Sequence, residues 1–216
     1  MPTWVPGSGT ALGSFGLTPA TTATLSHPAL ATTSLAESIY RTRFTTAATA
    51  GSASGVRDNV NTFWRGMGFF HHVLFATGSI SLAGGQKCVG LSSQTAILSG
   101  QPSALPNLIG MIKDQGDTNW FFARRDGTGT VQLVDLGVPV ANNQVFSMTL
   151  FSARNGTGLG VQIVQHNFDG TSTVLLDATY NTNLPAQNTL LGRHFVVRNG
   201  STAAQYSAGL SWRLDK

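Results

Sequence analysis

From about residue 61 onward, apolar and polar residues alternate in short stretches, which is the pattern of β-strands. Ten strands rich in Val, Phe, Leu and Thr are predicted: 62–76, 87–91, 108–113, 118–125, 130–135, 145–153, 160–167, 173–177, 191–198 and 203–213. Asp-Gly and Asn-Gly pairs between several of them suit tight hairpin turns. No long stretch has a helical period. This order predicts an all-β fold, either two stacked sheets or a barrel, mostly antiparallel.

The alternation also predicts which side chains face the core. In 145–151, Phe146, Met148 and Leu150 share one face, and Phe151 lies on the other. In 161–165, Val161 and Ile163 are predicted to face inward, with Gln162 outward. The outward faces carry few charges, which suits burial against another subunit.

The first 60 residues differ in composition from the rest. Residues 1–40 contain one formal charge, Glu37, and are rich in Thr, Ala, Ser, Gly and Pro. Such a segment buries little apolar surface by itself, so we predict a largely extended N-terminal attachment arm over 1–60 and a β-sandwich domain over 61–216. The apolar residues predicted to anchor the arm on a partner are Trp4, Leu12, Phe15 and Leu17.

Local structure near the end of the arm is open to two interpretations. Ser34 and Glu37 have the spacing of a capping box, which starts a short helix. The residues from Tyr40 to Thr45 alternate between apolar and polar, which indicates a strand. The strand from Tyr40 is slightly favoured.

Composition and charge limit the partners. Charged residues are 10% of the 216 residues, where an average soluble domain has roughly 25%. A surface this poor in charge is expected to be shared with copies of the same chain or with a larger assembly. The net charge is +4 and no basic run exceeds Arg124-Arg125, so nucleic acid is not expected as a partner. No apolar stretch approaches the ~18–20 residues that span a bilayer, so membrane insertion is not expected either.

Catalytic and metal chemistry have little support in the sequence. Glycosidases use two carboxylates, whereas the single glutamate, Glu37, lies outside the predicted strands and most aspartates lie in turns or at strand ends. Residues 113–119 favour a hairpin turn over a calcium loop. His71 and His72 are adjacent in a strand, so their rings are predicted to point to opposite faces. Cys88, the only cysteine, is predicted to be buried. We therefore expect no enzyme, no catalytic residue, no metal and no cofactor.

Glycan binding is the function class that remains. A sugar site combines an aromatic platform with a few planar polar groups. One predicted strand and its flanking turns bring together the candidate residues Asp117, Asn119, Trp120, Arg124, Arg125 and Asp126. The competing interpretation is equally open: Trp120 belongs to the core and the arginines anchor an interface.

The order of several short segments resembles a known family. The segments are 62–69, 88–91, 107–110, 113–119, 126–130, 135–137, 183–185 and 198–203, preceded by 27–33 and 45–51. Together they are similar to a β-sandwich module of tail fibres and other virion proteins of tailed bacteriophages. The resemblance covers roughly residues 27–216.

The resemblance implies a trimeric, lectin-like jelly-roll sandwich at the virion surface, assembled in the host cytoplasm. The first hypothesis is a short tail fibre or receptor-binding protein that attaches the particle to host surface glycans. Its arm would contact baseplate, tail or capsid proteins. The second is a capsid decoration protein that staples capsomers. The third, with the least support, is an enzyme that degrades surface polysaccharide.

Overall fold

The computed structural model describes residues 17–19, 24–26, 28–38, 41–78, 84–200 and 206–215, of which 17–19, 24–25 and 206–215 are described by their backbone only. A short helix, α1, spans Leu35–Ser38, and single 3-10 turns span Arg65–Met67 and Pro102–Ala104. The strands are β1 Leu17–Pro19, β2 Thr24–Ser26, β3 Thr42–Thr45, β4 Ala53–Asp58, β5 Phe69–Ala76, β6 Gly85–Ser92, β7 Ile109–Lys113, β8 Asn119–Arg124, β9 Gln132–Pro139, β10 Val145–Ser152, β11 Leu159–His166, β12 Ser172–Tyr180, β13 Gly192–Asn199 and β14 Tyr206–Asp215.

These strands form two antiparallel sheets of seven strands each. Sheet A has the order β1-β4-β13-β6-β7-β8-β9, and sheet B has the order β12-β11-β10-β5-β14-β3-β2. The two sheets stack face to face, so the predicted all-β antiparallel β-sandwich is confirmed. In the described ranges no helix has the length and apolar character that crossing a bilayer requires.

Each of the ten predicted strands is present, although the first is shorter than predicted. Its N-terminal part is replaced by the 3-10 turn at Arg65–Met67 and by Gly68, whose φ is +78°. A Cβ at residue 68 would lie 2.9 Å from the amide nitrogen of Arg154, so only glycine allows this close approach. Regular pairing therefore begins at Phe69.

The sandwich extends N-terminally of residue 61, the predicted domain boundary. Strand β3 pairs with β14 and strand β4 pairs with β13, and the side chain of Phe44 in β3 is only 1% exposed. Residues 41–58 therefore belong to the sandwich. Trp4, Leu12 and Phe15 lie outside the described residues, and Leu17 begins strand β1.

Both local structures proposed for the end of the arm are present. Helix α1 spans Leu35–Ser38, and the Ser34 hydroxyl donates to the Glu37 carboxylate at 3.3 Å, a bond between the two side chains rather than the side chain to main chain bonds of a capping box. The Thr33 hydroxyl also bonds this carboxylate, and that bond is the main cause of the lowered pKa of Glu37. The strand begins at Thr42, two residues later than predicted.

The main core fills the space between the two sheets. Its ring contacts include Phe75 with Phe146, whose centroids are 5.6 Å apart. Lys87 lies in this core at 0% exposure, where its Nζ donates to the Ala76 carbonyl at 3.0 Å. The same Nζ is 4.7 Å from the ring centroid of Phe75, a cation–π distance. Burial lowers the pKa of Lys87 well below its ordinary value.

The outer face of sheet A is covered by a second, smaller core. Leu98, Leu105 and Leu108, from the segment between β6 and β7, pack on Cys88, Ile112 and other buried residues of the sheet. This cluster leaves little of the central outer face of sheet A for a ligand.

Sheet B has a different outer face. Helix α1 covers one end of it, where Ala36 packs with Ala76 and Val145. Side chains of β10, β11 and β12 beyond that end are exposed, among them Phe151, Gln162 and Asp177. This open part of sheet B holds the candidate site.

Candidate functional site

A row of four polar side chains crosses the outer face of sheet B. Strand register places His72 opposite Thr149, Thr149 opposite Gln162, and Gln162 opposite Asp177. Directly opposed residues of an antiparallel sheet share a face, with Cβ atoms about 4.5–5.5 Å apart. We call His72, Thr149, Gln162 and Asp177 the polar row.

Hydrogen bonds fix both ends of the polar row. His72 Nδ1 and Thr149 Oγ1 are 2.9 Å apart, and Gln162 Nε2 donates to Asp177 Oδ2 at 3.1 Å. Gln162 and Asp177 are exposed, whereas His72 and Thr149 are half-buried. The row therefore presents an amide, a carboxylate, a hydroxyl and an imidazole along one line of the sheet.

An exposed aromatic ring flanks the polar row. Phe151 is two residues from Thr149 on β10, so both side chains lie on the outer face, and Phe151 is 51% exposed. Its cross-strand partners are Phe70 on β5 and Gly160 on β11, and a Cβ added at residue 160 would be 3.9 Å from the Phe151 ring. Because residue 160 has no side chain, no Cβ on β11 packs against the Phe151 ring at that position.

The other flank of the polar row is more closed. His166 bonds Ser147 Oγ through Nε2 at 2.9 Å and Ser172 Oγ through Nδ1 at 3.0 Å. Partial burial lowers the pKa of His166 below its ordinary value. Beyond this group, helix α1 covers the face. The open surface is thus bounded by His166 and α1 on one side and by the Phe151 ring on the other.

This combination of groups suits a ligand with many hydroxyls. An amide group donates and accepts hydrogen bonds in its plane, a carboxylate accepts them, and an aromatic ring packs against the apolar face of a sugar. The sequence had placed Gln162 and Phe151 outward, which is confirmed for both. The alternation does not join them to His72, because the pairing of β5 with β10 is not visible in it.

The predicted platform, Trp120, is a core residue. Its side chain is 0% exposed, and its ring packs on Phe146 with centroids 5.7 Å apart. The indole Nε1 donates to Gln144 Oε1 at 2.9 Å, which satisfies its polar atom. The prediction that Trp120 contacts sugar is therefore wrong, because no face of the ring reaches the surface.

The other five predicted glycan residues do not gather at one rim. Asp117 and Asn119 lie at the start of β8, whereas Arg124, Arg125 and Asp126 lie at its end. A strand rises about 3.3 Å per residue, so the two groups are separated by roughly 16 Å along the edge of sheet A.

At the start of β8 the polar groups stabilise turns. Asp117 accepts a hydrogen bond from the Asp114 amide at 2.8 Å, and Gly116 has a φ of +91°. The predicted turn at 113–119 is thus confirmed. Asn119 donates to the Asp135 carboxylate at 2.9 Å. The hydrogen bond from the Gly137 amide, together with this one, lowers the pKa of Asp135.

At the end of β8 the charged groups hold loops in place. The Arg124 guanidinium lies 4.2 Å from the Tyr180 ring centroid. Arg125 donates to the Ala104 carbonyl at 2.8 Å, which holds the 3-10 turn there. The Asp126 carboxylate accepts hydrogen bonds from the amides of Thr128 and Gly129, and these bonds lower its pKa.

The adjacent histidines face opposite sides of sheet B, as predicted. His71 is 1% exposed and points into the sandwich, whereas His72 belongs to the polar row. Within the ranges that the structure describes, no group of three or more His, Cys, Asp or Glu side chains is placed to hold a metal ion. Cys88 is buried, as predicted.

Comparison with known proteins gives the fold and no family. No protein-family model matches the chain, and no curated protein matches it. Peanut lectin, in a complex with a nine-residue peptide, is similar in structure with a TM-score of 0.54 at 13% identity, over 95% of each chain. An alginate lyase, A1-II', has a TM-score of 0.51 at 11% identity, over 88% of this chain and 92% of its own. The catalytic domain of a GH131 β-glucanase from Podospora anserina has a TM-score of 0.52 at 9% identity, over 82% of this chain and 72% of its own.

These likenesses establish a lectin-like, jelly-roll β-sandwich fold. They also correct the expectation that the chain is not an enzyme. That expectation rested on the shortage of paired carboxylates and of metal-ligand groups in the sequence, whereas an alginate lyase and a β-glucanase have the same kind of sandwich. The scarcity of glutamate does not remove catalysis from consideration.

Proposed function

We propose that the open outer face of sheet B binds carbohydrate. The observation that carries this proposal is the polar row, with its Gln162–Asp177 hydrogen bond of 3.1 Å, beside the Phe151 ring at 51% exposure. The groups lie on regular paired strands, so their positions are fixed before a ligand arrives, which limits the entropy lost on binding.

The chemistry of the face favours a glycan over other ligands. Asp177 is the only carboxylate of the polar row, and its bond to Gln162 engages the amide nitrogen, so the amide oxygen is the group of Gln162 that would accept from a sugar hydroxyl. Phe151 supplies apolar area without a deep pocket, as a sugar ring in contact with a flat sheet requires. A single shallow site of this kind binds weakly, so several copies on one particle or cell surface would raise the overall affinity.

Titration calorimetry with a panel of bacterial surface polysaccharides and their oligosaccharides tests the proposal. Gln162→Ala and Phe151→Ala should each weaken binding at least tenfold, which corresponds to about 1.4 kcal/mol. The matched control is Phe168→Ala, since Phe168 is 61% exposed in the hairpin between β11 and β12 and outside the row. Equal loss in the control, or no effect of Gln162→Ala, would contradict the proposal.

The same incubations test for catalysis. The molecular mass of each polysaccharide is followed over time with native protein and with Gln162→Ala. Shorter products formed only by the native protein would make this face an active site, while unchanged mass with retained binding would leave it a binding face.

We propose further that the chain is a virion protein of a tailed bacteriophage, in which this face contacts the host surface. Support comes from the ordered segments of the sequence that resemble tail-fibre modules. Cross-linking in intact particles separates the two virion settings. Contact with baseplate or tail proteins supports a fibre or receptor-binding protein, and contact with the major capsid protein supports a capsid decoration protein.

A further inference from the structure

We infer that a second copy of this chain pairs with the edge strand β12, antiparallel and about a two-fold axis at Ala178. Strand β12 ends sheet B and has one neighbour, β11. Among the described residues, none forms a main-chain hydrogen bond to its other side. With respect to the described part of the chain, the amide and carbonyl groups of that side are therefore open to another strand.

The other three edges of the sandwich are protected from such pairing. Strands β1 and β2 have three residues each, and β1 ends in Pro19. Strand β9 contains Gly137 at a φ of +68°, a register shift against β8, and Pro139 at its end. Bulges, prolines and short length are the usual means of blocking an edge.

Strand β12 has less of this protection. It is nine residues long, and its sequence contains no proline, lysine or arginine. Its one irregularity is a register shift opposite Ile163 and Val164, after which Leu176–Tyr180 pairs regularly with β11. These last five residues form a regular open edge.

The open edge is complementary to itself. Antiparallel pairing about Ala178 places Leu176 opposite Tyr180 of the second copy, and both are half-buried on the core side. It places Asp177 opposite the Thr179 hydroxyl, which can donate to the carboxylate, and both are exposed on the outer side. Ala178 lies opposite Ala178 of the second copy, and two small side chains fit there without crowding. The two Asp177 carboxylates are diagonal, about 7–8 Å apart, and not directly opposed.

The paired sheets would join into one sheet of fourteen strands. If the outer face binds carbohydrate as proposed above, the two polar rows would lie end to end with both Asp177 residues near the centre. One polysaccharide chain could then contact both copies, which raises its effective concentration at the second row. The pairing itself does not depend on carbohydrate.

Light scattering after size exclusion tests the pairing on the full chain without carbohydrate. The native protein should have twice the 22.7 kDa chain mass. Thr179→Asp places two pairs of like charges directly opposite each other and should weaken the dimer at least tenfold, an effect that high salt reduces. Thr179→Lys faces Asp177 of the partner and should leave the dimer intact or tighter. The matched control is Thr173→Asp. Thr173 is an exposed residue of the same strand outside the paired residues, so this substitution should leave the dimer mass unchanged.

Three outcomes would overturn the inference. A monomeric mass over the accessible concentration range means that the edge is not paired by a second copy. A trimeric mass, which the sequence resemblance implies, means that the copies meet elsewhere. A dimer that Thr179→Asp and Thr179→Lys affect equally means that charge opposite Asp177 does not matter. None of these results bears on carbohydrate binding, which the Gln162 and Phe151 variants test separately.

Discussion

The Asp58 carboxylate and the Arg193 guanidinium form a buried ion pair between strands β4 and β13, with Oδ1 and Nη2 2.6 Å apart. The same carboxylate accepts the Arg193 main-chain amide at 2.7 Å and its Nε at 3.0 Å. One aspartate thus satisfies three donors of one residue. A buried ion pair of this geometry contributes little net stability, but its disruption leaves an uncompensated charge.

Asp58→Asn should therefore destabilise the fold strongly. The neutral amide cannot balance the buried guanidinium, and we expect the free energy of unfolding to fall by about 3–5 kcal/mol. Urea denaturation followed by tryptophan fluorescence measures the change. Asp169→Asn is the control, since Asp169 is exposed in a hairpin turn and asparagine can keep its turn contacts, so its urea midpoint should stay close to that of the native protein.

Two buried histidines predict how stability depends on pH. Burial lowers the pKa of His71 to about 3, and burial lowers the pKa of His194 to about 4. In the unfolded chain both have a pKa of about 6.5. Between these values the unfolded chain binds more protons than the folded chain, so the free energy of unfolding falls as pH is lowered from about 6.5. Each histidine contributes up to about 1.4 kcal/mol per pH unit.

Urea denaturation at several pH values between 4.5 and 7.5 measures this dependence. The range stays above the ordinary pKa of aspartate, so the turn carboxylates contribute little. Replacement of both buried histidines, His71→Asn with His194→Asn, lowers stability at neutral pH but should flatten the slope. A slope as steep as that of the native protein would contradict the assignment.

Much of the fold could be predicted from the sequence because a period of two residues is a local signal. This period of two identified the ten strands in the last two thirds of the chain. Strands β3 and β4 were assigned to the arm because composition, dominated by Thr, Ala, Ser and Gly, gave the stronger signal there. Five of the six residues of β4 are buried, which means that both of its faces are covered. A strand covered on both faces does not need to alternate apolar and polar residues.

The candidate site could not be predicted, for two physical reasons. Its residues come from β5, β10, β11 and β12. The hairpins β10–β11 and β11–β12 are local, but the pairing of β5 with β10 joins His72 to Thr149, 77 residues away, and leaves no mark in a single sequence. Trp120 was misplaced because sheet A is covered on both faces. Trp120 and Phe122 face the main core, and Phe121 packs against the smaller one, so apolar residues alone do not reveal which face is exposed.

Cys88 should be unreactive in the folded protein. The thiol is 1% exposed, and burial raises its pKa to about 12, with the nearby Asp114 carboxylate contributing. Thiolate is the reactive form, so alkylation by iodoacetamide at pH 8 should be negligible in the native state. The same reaction in guanidinium chloride should be complete. Mass spectrometry measures both, and equal rates in the two conditions would show that the strand opens readily.

The buried position of Trp120 predicts a large loss of stability on truncation. Trp120→Ala removes the ring contact with Phe146 and leaves the Gln144 Oε1 without its indole donor. We expect a loss of about 3–5 kcal/mol, which lowers the melting temperature by roughly 10 °C. Trp64→Ala is the matched control, because Trp64 is 37% exposed and loses fewer contacts. If Trp120→Ala melted like the native protein but bound carbohydrate more weakly, the ring would belong to the sugar site after all. A melting temperature far below that of the native protein confirms that the ring belongs to the core.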